Sequence, residues 1–286
     1  MKILVTGAGG QLSTELQGLS TNYTDYELLL LTKQQMSITE EEEVSKIITD
    51  FKPGYVINCA AYTAVDKAES DKEKAFAING TATGLLAKYS LINNCRFIHI
   101  STDYVFDGSA SSPMKEDHPV KPLNVYGESK LLGEQLAVME NPESIIIRTS
   151  WVYSSYGSNF VKTMIRLMNE REHLNVVNDQ YGSPTYAADL AEAIMQIITS
   201  GKWKPGIYHY SNKGIISWFD FATEISSIIK SNCKVNGISS DLYPTPAKRP
   251  NYSVLDTSKF TQTFGIEMKQ WKESLRTCIN KISTGK

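Results

Sequence analysis

Five short apolar runs punctuate the first half of the chain, at residues 2–6, 26–31, 55–58, 96–101 and 144–149, with spacers long enough for helices between them. Strands recurring at that spacing form a parallel sheet, because a parallel pair needs a crossover of a dozen or more residues. The expected fold is α/β, a doubly wound parallel sheet. One spacer shows the helical period directly. Over residues 40–51, Val44, Ile47, Ile48 and Phe51 fall on one stripe, Thr39 stands where a cap belongs and Pro53 ends the run.

The turn after the first run reads Gly7-Ala8-Gly9-Gly10-Gln11-Leu12-Ser13. In a Rossmann-like fold the first glycine permits the strand-to-helix turn, and the second lets the backbone approach a pyrophosphate at the helix N-terminus. Gly7 and Gly10 fill those two positions, and Gln11 and Leu12 complete the predicted cofactor loop. The third glycine is replaced by Ser13, at a position that serves packing rather than anion contact. An ordinary glycine-rich turn has the same composition, so the loop alone leaves both readings open. The second run ends in Leu31-Thr32-Lys33, with no acid to hold the free ribose 2′-hydroxyl of NAD. That favours NADPH, with NADH accepted too, although a merely solvated Lys33 fits the same residues.

After residue 150 the alternation loosens. Helices are expected near 159–169 and at 187–199, 218–230 and 268–281, and strands at 174–177 and 207–210, while Pro244, Pro246 and Pro250 break up 241–252. The division expected is a dinucleotide-binding domain over residues 1–150 and a smaller substrate-binding lobe over 151–286, with segments of the second half returning to the first domain. A net charge of -2 gives no global attraction to nucleic acid or to an anionic membrane. Four dispersed cysteines lack the paired spacing of a zinc or redox motif, and no apolar run approaches membrane-spanning length. These features point to a soluble cytoplasmic protein.

The segment Val125-Tyr126-Gly127-Glu128-Ser129-Lys130 places Tyr126 and Lys130 one helical turn apart on one face. An adjacent ammonium favours phenolate, so Lys130 can tune Tyr126 as a proton donor or acceptor. The fourth strand delivers Thr102 to the carboxyl end of the sheet, where doubly wound folds bind ligands. In a ketone reduction, hydride reaches the carbonyl carbon, Tyr126 protonates the oxygen and Thr102 orients it. No metal is required. A tyrosine and a lysine at this spacing also occur on solvated helix faces; the agreement in order with the glycine turn and Thr102 raises the catalytic reading above that one.

At this point the chain resembles the extended short-chain dehydrogenase/reductases, and within them the dTDP-4-dehydrorhamnose reductases. The motifs that carry the resemblance run from residue 1 to about 256: Asn58 to Glu69, Ser101 to Gly108, Arg148 to Tyr153, Asp179 to Thr185, and Arg249-Pro250. It implies reduction of a dTDP-linked 4-keto sugar to dTDP-L-rhamnose, a cell-envelope sugar donor, with Thr102, Tyr126 and Lys130 as catalytic residues. It further implies Ala60, Ala61 and Thr63 as a cofactor-lining segment, and Thr102, Asp103 and Trp151 on the substrate side. Asn159 and Arg249 are weaker substrate candidates, for which solvated roles remain open; Trp151 has core as its alternative, but its position just after the fifth strand favours the pocket. Some relatives form homodimers through magnesium held by acids. Glu15 and Asp189 match part of that set, but Ala188 stands where another acid is expected, so no metal site is predicted. The competing functions are a nucleotide-sugar epimerase or dehydratase, and a non-catalytic dinucleotide-binding regulatory subunit like the beta subunit of methionine adenosyltransferase. Dehydratases carry Asp-Glu after the threonine; here Thr102 is followed by Asp103-Tyr104.

Overall fold

The computed structural model describes residues 1–285. Its centre is a six-stranded parallel sheet of β1 (Lys2–Thr6), β2 (Glu27–Leu31), β3 (Tyr55–Asn58), β4 (Arg96–Thr102), β5 (Ile145–Thr149) and β6 (Gly206–Tyr210). The spatial order is β2-β1-β3-β4-β5-β6. The chain moves one way from β1 to β2 and the other way from β3 onward. A crevice therefore opens beyond the carboxyl ends of β1 and β3.

The long helices are α1 (Gln11–Gly18), α2 (Glu41–Phe51), α3 (Ala82–Ile92), α4 (Val125–Glu140), α5 (Phe160–Glu170), α6 (Ala187–Thr199), α7 (Trp218–Ile229) and α8 (Trp271–Thr284). Both faces of the sheet are covered, which is why its strands read as continuous apolar runs. Ile3, Val5, Ile57, Ile98 and Ile147 pack against Leu12 and Leu16 of α1 and Leu190, Ile194 and Ile198 of α6. On the other face Leu4, Val56, Phe97 and Ile146 meet Val44 and Ile48 of α2 and Leu86 of α3. A second core belongs to the later lobe, where Val161, Met164, Phe221, Ile225, Leu275 and Ile279 enclose Leu174 and Val176. The strand carrying Leu174 spans His173–Val177 and pairs in parallel with Lys234–Ile238.

Three details differ from the sequence-based expectations. Glu40, not Thr39, stands at the N-cap of α2, and no side chain caps it; Glu41, Glu42 and Glu43 instead place negative charge where the helix dipole favours it. The last helix starts at Trp271 rather than at 268, because Met268 is drawn into the core of the large sheet. The pairing of Lys234–Ile238 lies in a stretch with no clear strand period. All four cysteines are free. Among the described residues no helix is long and apolar enough to cross a membrane.

Candidate active site

A cleft of about 1020 Å³ lies at the carboxyl end of the sheet. Its first wall is the turn from β1 to α1. Gly7 has φ 75°, and a Cβ there would fall 2.8 Å from the backbone of Ala60, so the turn can approach the loop after β3 only with glycine. α1 follows with Gly10 as its N-cap and no side-chain cap, which leaves its first amides facing the cleft. Ser13 is wholly buried, and its hydroxyl bonds the carbonyls of Gly7 (2.7 Å) and Gly10 (3.0 Å). The serine thus ties the loop to its helix from behind. This cradle fits a dinucleotide pyrophosphate.

Gly7, Gly10, Gln11, Leu12, Ala60, Ala61 and Thr63, from the turns after β1 and β3, line one end of this cleft, and Lys33 lines it at the end of β2. Thr102, Asp103, Tyr126, Lys130 and Trp151 line the other end. The start of α4 is fixed by Asn124, whose side-chain oxygen accepts the Gly127 amide at 2.8 Å, and by Glu69, which accepts the Val125 amide at 2.9 Å. That anchoring aims Tyr126 and Lys130 at the end of β4.

Burial governs the electrostatics. It pushes the Tyr126 phenol up to about 12, with the Asp103 charge adding to the rise and a hydrogen bond to Thr102 opposing it. Burial also brings Lys130 down to about 8, against the attraction of Glu134 and Cys59. Asp103 is 2% exposed; burial pushes its carboxyl up to about 6 against hydrogen bonding from Ser253 and Thr102, the latter donating to Oδ1 at 3.1 Å, while Oδ2 has no hydrogen-bond partner. A full phenol, a lysine easily deprotonated and a carboxyl easily protonated are the parts of a proton-transfer site.

Trp151 is a cleft residue rather than core. Its backbone is left-handed at φ 48°, and its indole stacks on Trp218 with centroids 3.6 Å apart and planes at 11°. Trp218 also lines the cleft and was missed in the sequence. A signal existed: Ser217 and Asp220 form a capping box that pins the start of α7, and with it Trp218.

Two expected substrate residues lie outside the cleft lining. Asn159 is the N-cap of α5, where its oxygen accepts the Lys162 amide and its amide donates to Gln11 Oε1 at 2.9 Å and to the Ser154 carbonyl at 2.7 Å. Its polar capacity is spent on positioning, including that of Gln11. Arg249 is engaged bidentately by Asp66, at 2.8 and 3.0 Å, and its hydrogen bonds hold that carboxyl below its usual range. An arginine so paired is a clamp between loops.

The RmlD substrate binding domain family matches residues 1–284. The chain belongs to that family. A dTDP-4-dehydrorhamnose reductase of Aggregatibacter actinomycetemcomitans is 43% identical over 96% of this chain and 97% of its own length. The crystal structure of a dTDP-4-dehydrorhamnose reductase from Clostridium acetobutylicum superposes with a TM-score of 0.95 at 41% identity, covering 99% of this chain and 100% of that one. Its counterpart from Bacillus anthracis, solved in complex with NADP, gives 0.94 at 38% identity, covering 98% and 99%.

The magnesium found in some members of the RmlD family does not fit the residues present. Glu15 accepts from Ser154 at 2.6 Å and from Lys281 at 3.0 Å; Asp189 accepts from Lys269 at 2.8 Å, from Asn212 at 2.9 Å and from Ser274. Two lysines already supply the positive charge. Among the described residues no three acids, histidines or cysteines gather to hold a metal.

Proposed function

We propose that the chain is an NADPH-dependent dTDP-4-dehydrorhamnose reductase, which reduces the C4 ketone of dTDP-4-dehydro-β-L-rhamnose to dTDP-L-rhamnose. The observation that carries this reading is the convergence of Thr102, Tyr126 and Lys130 at the end of a cleft whose other wall is a phosphate cradle. When bound, the dinucleotide supplies the hydride. Tyr126 then gives its proton to the ketone oxygen, Thr102 orients that oxygen, and positive charge at Lys130 favours the phenolate left behind. Asp103 and the stacked Trp151–Trp218 pair form the wall that meets the sugar. Lys33 in the lining, with no acid at the end of β2, supports NADPH over NADH. Four free thiols and a nicotinamide cofactor suit the reducing cytoplasm.

The test supplies the dTDP-linked 4-keto sugar and follows NADPH loss together with dTDP-rhamnose formation. Turnover abolished in Tyr126→Phe supports the reading. Dinucleotide binding without turnover in the unaltered protein points instead to a regulatory subunit and sinks the reductase.

A further inference from the structure

One titratable group beside the reaction centre has no part in the chemistry above. His99, on β4, is wholly buried, with its Nε2 3.1 Å from Lys130 Nζ and its Nδ1 3.1 Å from the Asn58 side-chain nitrogen. It closes a polar row across the sheet. Thr6 on β1 is in register with Asn58 on β3, and Asn58 with His99 on β4.

The row has one hydrogen pattern that satisfies every member. Asn58 Oδ1 accepts from the Thr6 hydroxyl at 2.7 Å and from the Ala60 amide at 3.2 Å. Its Nδ2 faces Thr83 Oγ1 at 3.4 Å, whose own hydrogen goes to the Asn79 carbonyl at 2.9 Å. Turning the Asn58 amide over sets its NH₂ against the Ala60 N–H, which keeps Thr6 Oγ1 at 3.3 Å as its acceptor, and takes from the Thr6 hydroxyl the oxygen it donates to, so the nitrogen stays toward His99. His99 Nδ1 must then accept. Burial alone holds this imidazole well below its usual range, so the ring is neutral and its single proton sits on Nε2 and points at Lys130. An ammonium has only hydrogens to offer there, whereas a neutral amine has a lone pair. The remaining contact, Nζ donating to the Ile100 carbonyl at 2.6 Å, suits either form.

We propose that His99 is a positioning residue whose Nε2 proton favours the neutral amine of Lys130 in the empty site, so that dinucleotide entry shifts Lys130 toward the activating ammonium. The other groups facing Lys130 permit this. Glu134, one turn along the same helix, is engaged by Ser101 and by both sides of Arg148, and burial keeps the Cys59 thiol protonated, with its pKa near 12. Tyr126, one turn earlier, is a neutral phenol, and the Asp103 carboxyl beyond β4 is the remaining acid of the site. Burial moves Lys130 in the same direction, to about 8. The phosphates of a dinucleotide bring negative charge, and its hydroxyls bring lone pairs, into the cleft that Lys130 lines; both favour the ammonium. Cofactor binding thus moves Lys130 toward the form that favours the Tyr126 phenolate.

The inference rests on Tyr126 and Lys130 being the proton-handling pair, but its readout needs no turnover. NADPH binding is measured calorimetrically at pH 9 in two buffers of different ionisation heat, and the uptake expected approaches one proton per site, because the free amine is mostly neutral there. Lys130→Met should abolish the uptake, and His99→Phe should at least halve it. No uptake by the unaltered protein, or undiminished uptake in His99→Phe, overturns the proposal. Nitrogen-15 spectra of the unaltered free protein give a second measurement should His99→Phe not fold: a proton on Nε2 supports the proposal and one on Nδ1 refutes it. Turnover that survives Tyr126→Phe while uptake is normal breaks the reductase reading and leaves this result standing.

Discussion

Two clusters in this molecule combine buried carboxylates with lysines, and they behave in opposite ways. At the reaction centre burial lowers Lys130 and raises Asp103, and one oxygen of that carboxyl has no partner. Where the lobe meets the sheet, burial disfavours the charge on Lys281, but the hydrogen bond and charge of Glu15 outweigh it; Lys269 is raised by its hydrogen bond to Asp189. The ingredients are the same and the completeness differs. A cluster whose donors and acceptors all pair off is held still and cannot trade a proton cheaply, whereas one left short keeps capacity for a ligand. For these two carboxylate clusters the state of pairing, and not the residue types, separates the site from the scaffold.

The largest test of the contrast is Tyr126→Phe. Losing a positioned general acid costs roughly 10²–10⁴-fold in rate, and the effect is expected in kcat, measured from NADPH consumption, with cofactor affinity changed only modestly because the ring remains. Lys130→Ala should lower both kcat and cofactor affinity. Comparable loss on removing a lysine of the other cluster would erase the distinction.

Asp103→Asn probes the same contrast through pH. The folded carboxyl titrates near 6, above its ordinary 3.8, so the neutral form is the one the fold prefers. Its favourable contribution is complete below pH 3.8 and is lost as pH rises through 6; above that the protein carries a buried charge. At about 1.4 kcal/mol per pKa unit, the wild type should lose roughly 3 kcal/mol relative to the variant across this window. Melting temperatures of both proteins from pH 4 to 8 check it, and parallel curves would remove Asp103 from the unsatisfied cluster.

Lys281→Met should have the converse effect. It leaves Glu15, 4% exposed, without its cation while Ser154 still donates to it. Fully buried pairs cost about 3–5 kcal/mol when broken; because the lysine is partly exposed, about 1–3 kcal/mol is expected, with kcat unchanged. A chelator should leave the activity of the unaltered protein intact, since lysines occupy the place a metal would need. Magnesium dependence of the wild type would show that these carboxylates are freer than their hydrogen bonds imply.

Local patterns were legible in the sequence, and long-range partnerships were not. The five strands, the α2 stripe and the Tyr126–Lys130 turn each depend on neighbours within one turn or one pleat. Arg249 reads as a weaker substrate candidate, with a solvated role left open, until Asp66, distant in the chain, is seen to occupy its guanidinium. Asn159 reads as a polar candidate until it caps a helix. His99 looks like one more strand residue, because its meaning comes from register with Asn58 and contact with Lys130. β6 reads as part of the later lobe by position, yet it pairs with β5 at the sheet edge. In each case one side chain has several chemically reasonable partners, and only the topology chooses among them.

The smallest expected effect concerns Ser13, which belongs to the scaffold although it sits in the cofactor loop. Its hydroxyl bonds Gly7 O and Gly10 O, but Gly7 O also accepts the Gly10 amide, and Gly10 O accepts both the amide and hydroxyl of Thr14. Neither carbonyl is orphaned by its loss. Ser13→Ala should therefore cost about 1 kcal/mol, the net worth of a typical hydrogen bond, and Ser13→Gly about 0.5–1 kcal/mol more for added backbone freedom in the helix. Thermal melts rank the three proteins, and NADPH titration should show a shift of only a few fold. Chemistry ought to be untouched, since no atom of Ser13 faces Thr102, Tyr126 or Lys130; a kcat loss near that of Tyr126→Phe would mean that the loop transmits its geometry to the reacting end of the cleft.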